Sequence, residues 1–496
     1  MSTQTPIPFS NSFARLPDAF YSIQNPTPVK QPGLIQVNEA LAEVLGISAE
    51  WLRSEQGIAS IAGNFVPEGA EPLAAAYAGH QFGGWNPQLG DGRAVLLGEV
   101  LGNDGQQYDI QLKGSGRTHW SRGGDGRSPL GPVLREYIVS EAMAKLGVAT
   151  SRSLAAVTTG EQVHREESLP GAVLCRVAKS HVRIGSFQYF AARQDTDSLK
   201  TLCDFVIDRH YPAAAQASNP ILEMLNSAIQ RQAELVASWQ GFGFIHGVMN
   251  TDNMLLSGET IDYGPCAFMD TYHPEKVFSS IDHQGRYAYQ NQPGIAHWNL
   301  MQLAQCLLPL LDDDQESAVG LAQSAIDTFP AVFAEAYNAR LNEKFGFTRS
   351  NEDDQAMTQQ FFSLMAEHKL DFTLSFRCLY ELLDEKESNS TIAKAAQLQG
   401  FPQEFDIWIA NWKLRVASDG SNSDAAERMK YANPAVIARN HQVEHVIRKA
   451  SNEGDFEPFY RLLAVLQSPW SLAGDDLSFA EAPATHEIVS QTFCGT

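Results

Sequence analysis

The sequence predicts an α+β chain of two lobes in series, a small β-rich N-lobe with one key helix and a larger helical C-lobe, with extensions at both ends. Three observations predict it. Strand-like segments with period-two alternation cluster between about residues 85 and 190. One helical stretch opening near Pro132 interrupts them, and Pro is tolerated in a first helical turn. Beyond about residue 195, apolar side chains recur instead at three- and four-residue spacing.

In chain order, residues 1–84 hold short apolar clusters broken by Pro and Gly, expected to form an N-terminal extension packed on the core. The expected N-lobe covers 85–190. In it Gln88-Leu89-Gly90-Asp91-Gly92-Arg93 precedes the strand-like Ala94 to Val100, putting glycines where backbone approaches a ligand closely. A Gly-rich β-turn explains that stretch equally well when it is taken alone. Tyr108 to Lys113 alternates as a half-buried strand does and ends on the Lys. On the helix from Pro132 to about Leu146, Glu136 shares a face with Val133, Ser140 and Met143. A half-buried carboxylate there wants a cation, with Lys113, Arg135 and Arg117 as candidates. Ala172 to Val177 then reads as a strand entering a loop that ends at Arg183.

The expected C-lobe covers 191–390. Ile221, Leu225, Ile229, Ala233 and Val236 form a helical stripe, and further helices are expected at about 298–308, 315–328, 330–343, 353–369 and 371–384, with Pro309 and Pro330 as breaks. Residues 391–496 form a helical elaboration and a mobile tail, and Ser418 to Asp424 reads as linker-like.

The stretch HGVMNTDNMLLSGETIDYG, His246 to Gly264, carries the chemistry. A protein kinase's catalytic loop reads H-R-D-x-x-x-x-N and is followed by D-F-G. On that template His246 is the loop His, Asn253 the metal-binding Asn, and Asp262-Tyr263-Gly264 the D-F-G. Val248 stands where the proton-accepting Asp belongs, and its side chain can neither take a proton nor bind a metal. Magnesium prefers hard oxygen ligands, which Asn253 and Asp262 supply. Met254 to Leu256 and Glu259 to Ile261 read as a hairpin around Ser257-Gly258 that would bring the two together. A surface hairpin with chance polar residues is the bland alternative. Lys113 and Glu136 weigh against it, because a kinase holds its phosphates with such a strand Lys and helix Glu. The fold class is therefore protein-kinase-like, and the chain is either a dead kinase or one whose chemistry has moved.

The segments EPLAAAYAGHQFGGWNPQLGDGRA, YDIQLKGSGRTHWSRGGDGRSPLGPVLREYI, HGVMNTDNM and IDYGPC, with a Cys third from the C-terminus, closely resemble the SelO (selenoprotein O, YdiU) family of kinase-like proteins. The resemblance spans nearly the whole chain. It implies ATP bound in a flipped orientation and AMP transferred to Ser, Thr or Tyr hydroxyls of proteins. It makes Gly90, Gly92 and Arg93 nucleotide contacts, and has Lys113, Asp125, Gly126, Arg176 and Arg183 hold the phosphates and base. Glu136 joins that nucleotide-binding set as the partner of Lys113. Asn253 and Asp262 would bind Mg or Mn, and Asp252 would accept the proton. Adenylyl transfer expels pyrophosphate, so cations such as Lys113, Arg176 and Arg183 suit the leaving group. Read singly, the two arginines are solvated surface residues, and Asp252 binds metal or caps the loop. UMP transfer, an atypical phosphotransferase and a nucleotide-binding pseudokinase scaffold are the rival functions.

The composition bounds the partners. Lys plus Arg number 36 against 58 Asp plus Glu, a net charge of -22, which argues against nucleic acid or an anionic membrane held by bulk charge. A nucleotide site must then be a local basic pocket, which Arg117, Arg122 and Arg127 suit. No apolar run is long enough to span a bilayer and no secretory signal is evident, so cytoplasmic residence is the expected default. Expected partners are hydroxyl-bearing protein substrates, redox-linked by resemblance, with self-modification among the reactions. The six cysteines show no zinc-like spacing. The resemblance pairs Cys266 with Cys494 as a reversible disulfide; a frayed tail with an ordinary Cys is the alternative.

Overall fold

The computed structural model describes residues 6–383, 398–471 and 476–493. Among these the strands are β1 (Tyr21–Ile23), β2 (Gly33–Val37), β3 (Leu73–Ala75), β4 (Gly79–Gln81), β5 (Gly84–Asn86), β6 (Ala94–Leu101), β7 (Gln107–Lys113), β8 (Ser128–Pro129), β9 (Arg152–His164), β10 (Ser168–Ala178), β11 (Phe244–Ile245) and β12 (Ala267–Phe268). One eight-stranded sheet runs β1-β3-β6-β7-β10-β9-β2, with β8 paired to β10, and its pairings are antiparallel. Residues 21–23, 33–37 and 73–75 of the N-terminal segment thus supply strands of the main sheet, two of them at its edges.

Alternation fixes what each face of this sheet carries. On β10, Val173, Cys175 and Val177 join a core with β7 residues Ile110 and Leu112. Helices α1 (Glu39–Val44), α2 (Ala49–Arg53) and α3 (Glu55–Ala62) cover that face through Leu41, Leu52 and Ile61. The opposite face carries Ala172 and Leu174 against α4 (Leu130–Lys145), which buries Val133, Leu134, Tyr137 and Ile138. Arg176 and Lys113 occupy the polar end of that second face, since Arg176 pairs in register with Gln111 and Leu174 with Lys113.

Beyond the sheet the described chain is mainly helical. Helices α5 (Ile184–Ala191), α6 (Thr196–His210), α7 (Pro220–Phe242) and α8 (Gln292–Leu311) share the α4 core. The α7 helix is capped by Asn219, whose side chain accepts from the Leu222 amide, and ends at Gly243 with φ 66°. Helices over Gln315–Ile326, Phe329–Phe345, Asp354–Glu367 and Phe372–Glu381 follow close to the predicted bounds. Pro330 sits in a helix's first turn, whereas Pro309 lies inside α8, which runs two residues past it.

Two sequence readings change. Ser418 to Asp424 is a tight helix-to-helix corner, not a linker: Asp406–Asp419 ends there, and Ser421 Oγ accepts from the Asp424 amide to cap Asn422–Lys430. The helices Asn440–Glu453 and Glu457–Leu466 pack on α4 through an Arg135–Glu444 ion pair and Tyr137 against Phe459 at 5.6 Å, while Arg439 at the start of the first pairs with Asp371, which caps Phe372–Glu381. Arg135 is thereby removed as a partner of Glu136.

Candidate active site

The site is built where β7, β10 and α4 meet the loop 246–264. Period two puts Lys113 and Arg176 on the α4 side of the sheet, and Glu136 on α4 meets both: Lys113 Nζ lies 2.5 Å from Glu136 Oε2 and Arg176 Nη1 3.1 Å from Glu136 Oε1. Asp262 completes the cluster, with Oδ1 at 2.5 Å from Lys113 Nζ and 3.2 Å from Arg176 Nη1. Burial alone would raise the Asp262 carboxyl, but Lys113, Arg176 and Arg183 outweigh it and hold it well below the usual carboxylate range. Asp262 adopts φ 63°, a left-handed conformation uncommon outside glycine and of the kind that concentrates at functional sites.

The loop leading to Asp262 is not the predicted hairpin. Leu255 pairs with Arg183 and Thr260 with Thr150, so the two limbs around Ser257-Gly258 pair outward with other segments. What holds the loop is His246, fully buried. Its Nε2 donates to the Ile261 carbonyl at 2.8 Å, and its Nδ1 accepts from the Val248 amide at 3.3 Å. The residue before Asp262 is thereby tied to the start of the loop. Asn253 donates its amide nitrogen to the Val248 carbonyl at 3.0 Å, which leaves the amide oxygen as the end available to a ligand.

Asp252 is 7% exposed and lies in the same wall. Arg183 Nη1 donates to its backbone carbonyl at 2.8 Å and Gln81 Nε2 to its Oδ2 at 3.2 Å. Burial pushes its carboxyl up to about 6, with Arg183 pulling the other way. The Arg183 guanidinium lies 4.4 Å from the Tyr77 ring centre.

A cavity of about 580 Å³ collects these groups. Gly90, Gly92, Arg93, Lys113, Asp125, Gly126, Glu136, Arg176, Arg183, Asp252, Asn253 and Asp262 all line it. Glycine is required at 90, where φ is 68° and a Cβ would stand 2.3 Å from the Trp120 side chain. Gly126 is required likewise, since a Cβ would lie 2.0 Å from the Gly116 carbonyl oxygen. Asp125 is clamped by Arg165 at 2.9 and 3.0 Å, and that pairing lowers its carboxyl below the usual range.

Cys266 does not line the cavity and is fully buried; Cys494 lies outside the described residues. The chain nearby is placed. The Thr492 amide donates to Phe278 O at 2.8 Å and Thr492 Oγ1 to Pro265 O at 2.6 Å.

With this geometry in view, the family described as Protein adenylyltransferase SelO matches residues 4–467. The chain belongs to the SelO family. Relatives named Protein nucleotidyltransferase YdiU are similar over almost the full length. The protein of Rhodopseudomonas palustris (strain BisB5) is 54% identical over 492 residues, covering 99% of each chain. That of Bradyrhizobium sp. (strain ORS 278) is 54% identical over 490 residues, with 99% of each chain covered. That of Agrobacterium fabrum is 51% identical over 492 residues, covering 98% of this chain and 99% of the relative. The resemblance drawn from the motifs is therefore correct, and the chain is an enzyme of a nucleotidyltransferase family that uses a nucleotide substrate.

In this SelO chain, sequence reasoning missed several residues that build the site. Gln111 accepts from Arg176 Nη2 at 2.5 Å and donates to Asp91 Oδ2 at 3.2 Å, so it orients the guanidinium. Its signal was the alternation that puts it on the Lys113 face. Trp120 underlies the glycine loop and donates Nε1–H to the Ala74 carbonyl at 3.1 Å. Tyr77, Gln81, Phe82 and Asn250 also line the cavity, and no local pattern announced them.

Proposed function

We propose that this chain is a protein adenylyltransferase of protein-kinase-like fold, transferring AMP from ATP to Ser, Thr or Tyr hydroxyls of protein substrates with the nucleotide inverted relative to a kinase. Its units are the segment 1–84, the N-lobe 85–190, the C-lobe 191–390 and the C-terminal part 391–496. One observation carries the reading. The carboxylate beside Asn253 in the cavity is Asp252, while the position of a kinase's base is Val248, which lines the same cavity. The acceptor has moved, and a moved acceptor fits a moved phosphorus.

In the step proposed, the substrate hydroxyl oxygen bonds to the α-phosphorus as its proton passes to the Asp252 carboxylate. The bond from the α-phosphorus to the bridging oxygen breaks, and pyrophosphate leaves with the electron pair. Lys113, Arg176 and Arg183, which line the same cavity, would neutralise the departing charge, with guanidinium suited to bidentate phosphate contacts. Gly90, Gly92, Arg93, Asp125 and Gly126 would hold the rest of the nucleotide, and Glu136 keeps Lys113 in place.

The residues fit a hard divalent cation. Asn253 offers an amide oxygen and Asp262 a carboxylate, the donor types Mg or Mn takes alongside phosphate and water oxygens. Among the described residues no group of three or more His, Cys, Asp or Glu side chains is arranged to hold a metal. When bound, the ion would neutralise phosphate charge.

The proposed Cys266–Cys494 disulfide draws support from Thr492, two residues before Cys494, which contacts the residue before Cys266. Exchange with a small disulfide would form it, releasing two thiols of the oxidant. Redox-linked target proteins and self-modification belong to the same proposal. The relatives, protein nucleotidyltransferases by name, are not tied by that name to one base, so UTP is the second donor to try. The experiment is transfer of α-phosphate label by wild type and Asp252→Ala. The variant is expected to bind ATP without transferring; full turnover by it removes Asp252 from the step.

A further inference from the structure

The hairpin β4–β5 stands apart from the large sheet, and its sequence GHQFGG has no part in the nucleotide contacts above. It grips the catalytic loop residue by residue. The His80 amide donates to Thr251 Oγ1 at 2.7 Å, Gln81 Nε2 to Asp252 Oδ2 at 3.2 Å, and the Phe82 amide to Asn250 Oδ1 at 3.0 Å. Three consecutive hairpin residues thus bind three consecutive loop residues. The far side of the loop is braced as well: Tyr287 Oη donates to Asn250 Oδ1 at 2.7 Å, Thr251 Oγ1 to Gln188 Oε1 at 2.6 Å, and Arg183 to the Asp252 carbonyl. Such bracing from both sides fixes a side chain's direction better than either alone.

The two oxygens of Asp252 are treated differently. Oδ1 is closed to solvent and makes no hydrogen bond. It is packed against Gly79, where a Cβ would stand 2.9 Å from Oδ1 and 3.1 Å from Leu89 Cδ1. Gly79 is therefore the residue type that lets the carboxylate lie flat against the hairpin. By elimination, Oδ2 is the oxygen left to face the cavity that Asp252 lines. A carboxylate oxygen has two lone pairs, so a donor on one leaves the second free and sets its direction.

We infer that Gln81 is a positioning residue for the transfer step, holding Asp252 with Oδ2 turned to the cavity as the atom that receives the hydroxyl proton. The inference rests on the adenylyl-transfer reading. The role assigned to Gln81 is indirect, through its hydrogen bond to Asp252. It acts through Asp252, and a small misplacement of an acceptor is enough to slow a transfer strongly.

The test uses the full chain and ATP labelled at the α-phosphate, with kcat, KM for ATP and the unfolding midpoint measured together. Gln81→Met keeps the length and removes the donor; Gln81→Asn keeps the amide and withdraws it by one methylene. Both are expected to lower kcat by about 10- to 100-fold, with KM and midpoint unchanged. Transfer by Gln81→Met at the wild-type rate overturns the inference, as does a loss of kcat matched by a raised KM or a lowered midpoint. If the wild-type chain transfers no label, the adenylyl-transfer reading fails and this inference with it; a wild type that transfers isolates the question to Gln81.

Discussion

Lys113 and Asp262, 149 positions apart in the chain, meet at 2.5 Å, and Glu136 stands 2.5 Å from the same ammonium. A β-strand, a helix and a loop converge on one side chain. Arg176 bridges the same two carboxylates from β10, so two cations and two carboxylates close a ring at the cavity wall. Charges removed from water this far are costly unless each has its partner.

Lys113→Met removes one cation and leaves Glu136 and Asp262 to Arg176 alone. Breaking a buried pair from one side typically costs about 3 kcal/mol. A loss of that order in urea unfolding is expected, together with loss of ATP binding in calorimetry. Unchanged ATP affinity would take Lys113 out of the nucleotide contacts.

Asp252→Asn keeps the shape of the side chain and removes its ability to accept a proton. Transfer is expected to vanish while ATP affinity stays within about twofold, because a general base contributes to the step and not to ground-state binding. Measuring both on one preparation separates the two effects.

Glu259 gives stability a pH dependence of its own. It is 7% exposed, accepting from the Lys179 amide at 2.9 Å and from Ser257 Oγ at 2.7 Å, and burial pushes its carboxyl up from 4.5 to about 7. Between those values the folded chain holds a proton that the unfolded chain has lost. Its contribution is therefore full below about pH 4.5 and is lost as pH rises through about 7. Glu259→Gln imitates the protonated form and should flatten this slope. At pH 8 it is expected to exceed wild type by something on the order of 2 kcal/mol in urea unfolding. Equal stability of the two proteins at pH 8 would contradict it.

Thr492→Val removes the hydroxyl that donates to Pro265 and leaves the backbone bonds to residues 278 and 280. If that contact presents Cys494 to Cys266, the yield of the Cys266–Cys494 peptide under oxidising conditions should fall about twofold or more through lower effective concentration. Mass mapping reads the result directly.

The helices and long strands were legible because their patterns are local. The alternation at 108–113 became β7, and the stripe from Ile221 to Val236 became α7. The placement of residues 21–23 and 73–75 in the main sheet was not legible, since a three-residue strand has too few positions to show a period. The loop around Ser257 misled for a different reason. Its two limbs have strand composition, but their partners, Arg183 and Thr150, are remote in sequence. At the site, Asn253 and Asp262 could be read from the kinase-like loop motif, and Lys113 and Glu136 from the strand and helix that such a motif calls for. Gln81 and Trp120 could not. Their roles come from neighbours brought close only by folding, as with Gln81 and Asp252 across 171 positions.

The most direct test of the central claim is a pair of reactions with ATP labelled at either the α- or the γ-phosphate, with Mg or Mn, under reducing conditions, following label into this chain and an added lysate. Covalent label from α-labelled ATP and none from γ-labelled ATP is the predicted result. Label from γ-labelled ATP alone would make the chain a phosphotransferase and contradict both the inverted nucleotide and the role given to Asp252.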